Sequence, residues 1–276
     1  MARALTAVLW LIAVAGIALF AAGWLPGPAS TLSAPLREQF LINFVLLGAV
    51  FVIVQCVLGW VIWKNRKTPN EERTKTKPFG KLEFLWLASA ALLFLALEII
   101  GTRMWNEYKV IGPATGTSIT RVEVTALQFR WYFRYPGSDN NFGAIRPELT
   151  DAAEGNPLGL DHHDRASADD IVTTELALPV GRPVEMILRS HDVIHSFFVP
   201  AFGFKQDAVP GQDIVIHFTP TQEGVFDIEC AELCGNGHHQ MNAKLRVMNA
   251  GAYQAWLASH SAAAHSAQNE ATAVRP

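Results

Sequence analysis

Twelve consecutive residues of this chain, CAELCGNGHHQM, combine two thiols, two imidazoles, a carboxylate and a thioether. Cys230 and Cys234 are separated by three residues, His238 follows four after Cys234, and Met241 three after His238. One loop at the end of a strand can therefore bring all four side chains together. Soft sulfur donors combined with imidazole select copper or zinc over hard cations. The segment predicts a site for a soft metal ion.

Other interpretations of the two cysteines are open from this segment alone. In an oxidising compartment, neighbouring cysteines often form a disulfide. A structural zinc site with two Cys and two His usually has tighter spacing within each pair and has no use for methionine. A mononuclear blue-copper site needs only one cysteine, so the second thiol argues against it.

A further imidazole comes from His195, in the apolar run that follows the sequence PVEMILR. An unpaired ring nitrogen is costly to bury among apolar side chains. Taken alone, His195 is more simply explained as a core histidine with a hydrogen-bond partner, but beside the thiol segment a ligand role is favoured. We expect His191 and His239 to support the site from outside or to lie at the surface. Cys56 is predicted to be a small buried apolar residue.

The composition indicates attachment to a membrane. Of the 276 residues, 50% are hydrophobic and only 17% are charged, which is more apolar than an ordinary soluble domain of this length. The formal net charge is -3, and the basic residues do not form the single-sign patch that a phosphate backbone selects. Nucleic acid is therefore not an expected partner.

Three apolar stretches open the chain. Residues 1–22 are predicted to be a signal sequence, with an extra transmembrane helix as the alternative. Residues 36–105 are predicted to form a transmembrane helical hairpin, with helices over about 40–63 and 82–105 that can cross ~30 Å of hydrocarbon. The connecting loop 64–81 is rich in Lys and Arg, so the positive-inside rule places it in the cytoplasm. The remainder then lies outside.

Residues 106–250 are predicted to form an all-β sandwich outside the membrane. From about Thr120, short alternating segments bounded by Pro and Gly replace the long apolar runs. At least six strands give a small antiparallel sandwich: TRVEVTALQFRWYFRY, IVTTELALPV, PVEMILR, DIVIHFT, GVFDIEC and AKLRVMN. We also expect a long irregular surface excursion over 136–170 and a disordered tail over 251–276.

A transmembrane hairpin followed by DVIHSFFVP and then C-x-E-x-C-x-x-x-H-x-x-M resembles cytochrome c oxidase subunit II, over essentially residues 36–250. The resemblance implies a cupredoxin-like Greek-key sandwich with two copper ions in a copper A centre. No C-x-x-C-H motif is present, so the resemblance is to bacterial subunits without fused haem c. The family's ligand set implies these roles: bridging thiolates for Cys230 and Cys234, imidazole ligands for His195 and His238, an axial thioether for Met241 and a backbone carbonyl ligand for Glu232.

The resemblance also implies a function and partners. The subunit would accept electrons from cytochrome c and pass them to haem in subunit I, where oxygen is reduced to water. Subunits I and III would be its partners in the bacterial inner membrane, with the copper domain in the periplasm. The Glu232 side chain would reach a magnesium ion shared with subunit I. Glu83 would mark the mouth of a proton pathway, with an interfacial carboxylate beside Lys81 as the alternative.

One position departs from the family pattern. Where the family usually has a tryptophan through which electrons enter, the chain has Phe129. Phe129 and Trp131 are predicted to share one strand face, with Tyr132 on the other. All three are candidates for electron input. Arg130 and Arg134 place positive charge where a basic cytochrome c would seek acids, and this predicts a shallow salt dependence of association.

A different class of protein is also considered. A membrane-tethered copper-binding or copper-delivery protein would use exposed, exchangeable ligands and would need no partner for the hairpin. A quinol oxidase subunit would share the hairpin and the sandwich but lack both cysteines. Cys230 and Cys234 exclude that assignment.

Overall fold

The computed structural model describes residues 2–21, 23, 26–64, 80–110, 118–161 and 163–273. It contains two compact units, one comprising residues 1–26 and 35–110 and the other comprising residues 27–34 and 111–276. The first unit is helical and the second is a β-sandwich. The predicted cytoplasmic loop falls almost wholly on residues 65–79, outside the described residues.

The described part of residues 1–110 contains three helices: α1 (Ala2–Ala21), α2 (Ser33–Lys64) and α3 (Gly80–Val110). Two described helical segments, Ser33–Lys64 and Gly80–Arg103, are long and apolar enough to cross a membrane. They correspond to the two predicted spanning helices, which α2 and α3 extend at both ends.

Helix α1 contacts α2 near one end of each helix. The Thr6 hydroxyl donates to the Gly59 carbonyl over 3.3 Å, and the Trp10 ring covers Gly59, where a Cβ atom would lie 2.6 Å from Nε1. A signal sequence and a retained anchor are both apolar helices, so cleavage of residues 1–22 stays a prediction.

Within the described residues, ten strands form two five-stranded sheets. The strands are β1 (Thr120–Leu127), β2 (Arg130–Tyr135), β3 (Ile171–Thr173), β4 (Leu176–Pro179), β5 (Val184–Ser190), β6 (His195–Val199), β7 (Phe204–Ala208), β8 (Ile214–Phe218), β9 (Gly224–Cys230) and β10 (Asn242–Met248). The first sheet has the order β3-β2-β1-β5-β8 and the second β4-β10-β9-β6-β7. Strand β1 pairs with β5 in parallel, and so does β4 with β10. The sheets are therefore mixed, whereas the sequence predicted an antiparallel sandwich. Alternation within a strand carries no information about its direction relative to a distant neighbour.

Two predicted strands are each divided in two. The first turns at Gln128 and Phe129, because Leu127 pairs with Arg130 and the two residues between them close a β-hairpin. Phe129 therefore lies in a turn and does not share a strand face with Trp131, which corrects the prediction. The second breaks after β3, so that β3 joins the first sheet and β4 the second. Strands β6 and β7 were not predicted. Strand β6 is buried on both faces, so its sequence lacks the alternation by which the other strands were predicted.

A buried ion network fixes the irregular segment after β2. The Arg134 guanidinium bonds Glu123 at 3.0 Å, contacts Asp170 through a short ion pair, and donates to the Gly143 carbonyl. Arg134 therefore cannot offer its charge to a docking partner, contrary to the prediction. The excursion over 136–170 is irregular, but this network holds it to the sandwich.

The predicted disordered tail is wrong for the described part of residues 251–276. Helix α4 (Ala250–Ala273) follows β10 directly. Its start is capped by Asn249, whose side-chain oxygen accepts from the Ala252 N–H over 2.9 Å. Tyr253 is buried, and the Trp256 ring lies 5.1 Å from the Tyr135 ring. Alanine-rich sequence favours helix, and these aromatic anchors stabilise it on the sandwich.

Candidate metal centre

Pairing among three strands of the second sheet assembles the donor atoms. In the antiparallel pair of β9 and β10, the Cys230 N–H donates to the Met241 carbonyl over 3.1 Å. The loop of residues 231–240 is thus closed at its base by these two residues. Phe197 of β6 pairs with Cys230, which brings His195, two residues earlier on the same strand, beside the start of that loop. Side chains two apart on a strand share a face.

The donor atoms converge within metal-ligand spacing. Cys230 Sγ lies 3.9 Å from Cys234 Sγ, 3.9 Å from His195 Nδ1 and 3.2 Å from the Glu232 carbonyl oxygen. Cys234 Sγ lies 3.7 Å from His238 Nδ1 and 3.8 Å from Met241 Sδ. The structure therefore brings together all six predicted ligand residues.

The spacing fits a soft metal ion and excludes a disulfide in this structure. A disulfide requires sulfur atoms about 2.05 Å apart, and all three cysteines are free thiols. Metal bonds of about 2.0–2.3 Å place two ligands of one ion roughly 3.3–4 Å apart. The donor atoms of His195, Cys230 and Cys234 all lie within 4.8 Å of one another. These three residues form a candidate copper-binding site.

A carboxylate that the sequence reasoning missed fixes the orientation of His195. His195 is fully buried, and its Nε2 lies 2.8 Å from Asp192 Oδ1, which leaves Nδ1 directed at the Cys230 sulfur. A partner on the far nitrogen of a metal-binding histidine orients the ring and selects the tautomer. Asp192 precedes His195 by three residues, and that spacing was the available clue. The neighbouring His191 and His239 are exposed.

The two thiols differ in proton affinity. Burial raises the pKa of Cys230, but interactions with His195 and with backbone groups outweigh burial and lower this pKa to about 6. Burial, followed by the proximity of Cys230, raises the pKa of Cys234 to about 11. The pKa of His195 is raised: burial opposes its charged form, and the Cys230 and Asp192 side chains more than offset that effect. Both thiols must be deprotonated to bind a metal.

The three aromatic candidates for electron input have different surroundings. Trp131 is fully buried and packs edge-on against His195, with ring centroids 6.1 Å apart. Trp131 therefore cannot contact an external donor, and its prediction as a site of electron input is wrong. Phe129 is 37% exposed, and Tyr132 is half-buried. Of the two arginines, Arg130 is exposed.

Two predicted carboxylates lie in exposed positions. Glu83 stands in the first turn of α3, and among the described residues it forms no ion pair with Lys81 or any other group. Residues two apart on a helix do not face each other, which disfavours the pairing with Lys81. The Glu232 carbonyl lies at the Cys230 sulfur, and the residue as a whole is exposed.

Fold and donor set together define a β-sandwich protein with apolar, membrane-length helices and a candidate copper site. Residues 122–248 match the family model described as cytochrome c oxidase subunit II, periplasmic domain. The chain is 33% identical, over 92% of its length and 91% of the relative, to an alternative cytochrome c oxidase subunit 2 of Bradyrhizobium diazoefficiens. It is 28% identical to cytochrome c oxidase subunit 2 of Cereibacter sphaeroides, over 77% of this chain and 72% of the relative.

This chain belongs to the cytochrome c oxidase subunit II family, as the sequence motifs predicted. A solved structure, the periplasmic domain of subunit II of cytochrome oxidase of Bradyrhizobium japonicum, is 26% identical and covers 54% of this chain and 96% of its own, with a TM-score of 0.39. The two apolar helices at the N-terminal end and the sandwich similar to the family's cupredoxin-like periplasmic domain confirm the predicted fold class.

Proposed function

We propose that this chain is the electron-accepting subunit of a cytochrome c oxidase. It takes electrons from cytochrome c at a dinuclear copper A centre and passes them to haem in subunit I, where oxygen is reduced to water. The observation that carries this proposal is the convergence of two free thiols on two imidazoles and a thioether, with sulfur–sulfur and sulfur–nitrogen contacts of 3.7–3.9 Å, in a member of the subunit II family.

The candidate ligands differ in the type of donor atom that each would supply to the metals. Cys230 and Cys234 would hold the ions as thiolate ligands. His195 and His238 would be the imidazole ligands, with the Glu232 carbonyl and the Met241 thioether as weaker ligands. Copper bound there supplies a one-electron redox couple. Strand pairing fixes three of these ligands, His195, Cys230 and Met241, near the ends of β6, β9 and β10, so their positions change little when charge changes.

Burial of the ligands favours this function over copper delivery. A delivery protein needs ligands that a partner can reach and displace. His195 is fully buried and Cys234 is 5% exposed, so a competing ligand has little access to either. Family membership favours the oxidase as well.

Electron input is proposed at Phe129, with Tyr132 as the second candidate. Phe129 is exposed and its ring lies directly over the loop that carries Cys234 and His238. Of the two arginines behind the expected shallow salt dependence of cytochrome c association, Arg134 is buried and Arg130 is exposed. Arg130 is therefore the one that would face the cytochrome.

The remaining assignments complete the proposal. Helices α2 and α3 would cross the bacterial inner membrane beside subunits I and III, with the copper domain in the periplasm. Glu83 would lie at the cytoplasmic mouth of a proton pathway, and the exposed Glu232 side chain would reach a magnesium ion completed by subunit I.

Metal content and spectroscopy of the purified full-length chain test this function. We expect two copper ions per chain and an electron paramagnetic resonance spectrum in which one unpaired electron is shared between two coppers. Cys234→Ser should abolish the shared-electron spectrum, whereas Cys56→Ser, in a helix remote in sequence, should leave it unchanged. One copper per chain, or a Cys230–Cys234 disulfide in the mature protein, would contradict the proposal. Rapid loss of copper to a mild chelator would favour the delivery protein.

A further inference from the structure

The β1–β2 turn, Gln128 and Phe129, belongs to the first sheet but contacts both segments of the second sheet that carry metal ligands. We propose that this turn is a clamp that positions the metal-binding loop, with Gln128 as its anchor. The inference rests on the proposed copper site, and it adds a positioning residue to it.

Gln128 bonds to both halves of the ligand set. Its backbone N–H donates to Asp192 Oδ2 over 2.7 Å, and the other oxygen of Asp192 holds His195. Its side-chain amide donates to the Cys234 carbonyl over 2.5 Å. One residue therefore links the segment before His195 to the loop that carries the second thiol.

Phe129 covers the same loop, and two glycines make room for the turn. A Cβ atom on Gly237 would lie 2.4 Å from the Phe129 ring. A Cβ atom on Gly235 would lie 2.9 Å from the Gln128 amide nitrogen, and Gly235 also has a φ of +135°, which favours glycine. Side chains at either position would push the turn away from the loop.

The clamp acts on the two ligands nearest to it. Holding the Cys234 carbonyl fixes the peptide plane next to the Cys234 side chain. The following turn continues from there, since the His238 N–H donates to the Gly235 carbonyl over 3.1 Å. Loss of the Gln128 amide leaves the strand-held ligands Cys230 and His195 in place and loosens the loop between them and Met241. Constraint of ligands from outside the metal's own shell is known to tune a site.

The test compares Gln128→Met with Gln222→Met in the full-length chain. Methionine keeps the length of the side chain and removes the donor, while the backbone bond to Asp192 stays. Gln222 is exposed in the turn before β9, at the opposite end of that strand from Cys230, and serves as the matched control. Without copper, we expect Cys234 in the Gln128 variant to react with a small alkylating reagent roughly two- to tenfold faster, the range one hydrogen bond supports.

With copper, we expect the Gln128 variant to show altered copper hyperfine splittings, and the control to match the wild type. Gly237→Ala, which displaces the Phe129 ring, should move both readouts in the same direction and tests the clamp independently. An unchanged Cys234 reaction rate in both the Gln128 and Gly237 variants, or an equal change in the Gln222 variant, would overturn the inference. Alkylation of Cys234 is measured without copper. Its result therefore tests the clamp independently of whether a dinuclear copper centre forms.

Discussion

Two regions of the sandwich bury polar side chains, one as ion pairs within the chain and the other as a cluster of possible metal ligands. Around Arg134, guanidinium and carboxylate groups pair within the chain: Glu123 bonds both Arg134 and Arg189, and Asp170 accepts from Arg134 and from the Gly143 N–H. At the metal centre, two sulfurs face two imidazole nitrogens and a thioether, all of which are electron-pair donors toward a metal.

The difference separates a structural polar core from a ligand site. In the Arg134 network, positive and negative groups compensate each other, so the chain needs no further component there. In the metal centre, Asp192 orients His195 from outside, and the inner atoms are sulfur and imidazole donors. The two thiols then adopt opposite pKa shifts. A buried cluster of sulfur and imidazole donors is therefore typical of a metal-binding site.

The largest expected effect tests the Arg134 network. Arg134→Met leaves Glu123 and Asp170 buried without their shared cation, and we expect the free energy of unfolding to fall by about 3–5 kcal/mol. Denaturant titration of the copper-free full chain, followed by tryptophan fluorescence, measures it. Arg130→Met is the matched control, because Arg130 opens the same strand but is exposed, and should change stability by less than about 0.5 kcal/mol. Equal losses in the two variants would show that the network contributes no special stability.

The next effect concerns the thiols of the metal centre. Because the pKa of Cys230 is lowered to about 6, its alkylation in copper-free protein should rise about tenfold between pH 5 and pH 7 and then level off. Cys234, with a pKa raised to about 11, should react slowly throughout that range. Since the folded pKa of Cys230 lies below its unfolded value, the stability its thiolate contributes is lost as the pH falls through 6. Parallel pH profiles for the two thiols, measured by peptide mass spectrometry, would contradict this asymmetry.

The smallest effect lies at the exposed edge of the network. Asp213 accepts two hydrogen bonds from Arg189 at 2.6 and 2.9 Å, and its side chain is 61% exposed. We expect Asp213→Asn to lower the free energy of unfolding by only about 0.2–1 kcal/mol, because solvent screens the pair. The hydrogen bonds from Arg189 lower the pKa of Asp213, so its contribution is present above pH ~4 and disappears as the pH falls through the folded pKa. If Asp213→Asn lowered the free energy of unfolding as much as Arg134→Met does, the exposed ion pair would contribute as much as the buried network, which would contradict this prediction.

Much of the candidate site could be predicted because its ligands are close in sequence. Four side chains between Cys230 and Met241 share one hairpin loop, so residue types and spacing were sufficient to propose them. Gln128 could not be predicted in this way, and the only clue to Asp192 was its position three residues before His195. The contact of Gln128 with the Cys234 carbonyl joins residues more than one hundred positions apart, and a glutamine in a turn carries no chemical pattern of its own.

The boundaries of the strands failed for a related reason. Alternation predicts that a segment is extended, but not where it turns or which sheet it joins. The break between β3 and β4 and the hairpin at Gln128 depend on partners elsewhere in the chain. The burial of Arg134 likewise depends on Asp170, at the far end of the irregular excursion.

By itself, the sequence determined the apolar helices and the set of soft metal donors, because helix formation and loop chemistry depend on residues near one another in the chain. Only the tertiary structure decided that His195 meets the thiols, that Trp131 is withdrawn from the surface and that Arg134 is neutralised. Each of those outcomes requires strand pairing across long stretches of chain, and the free energy that selects one pairing over another comes from the packed sandwich as a whole.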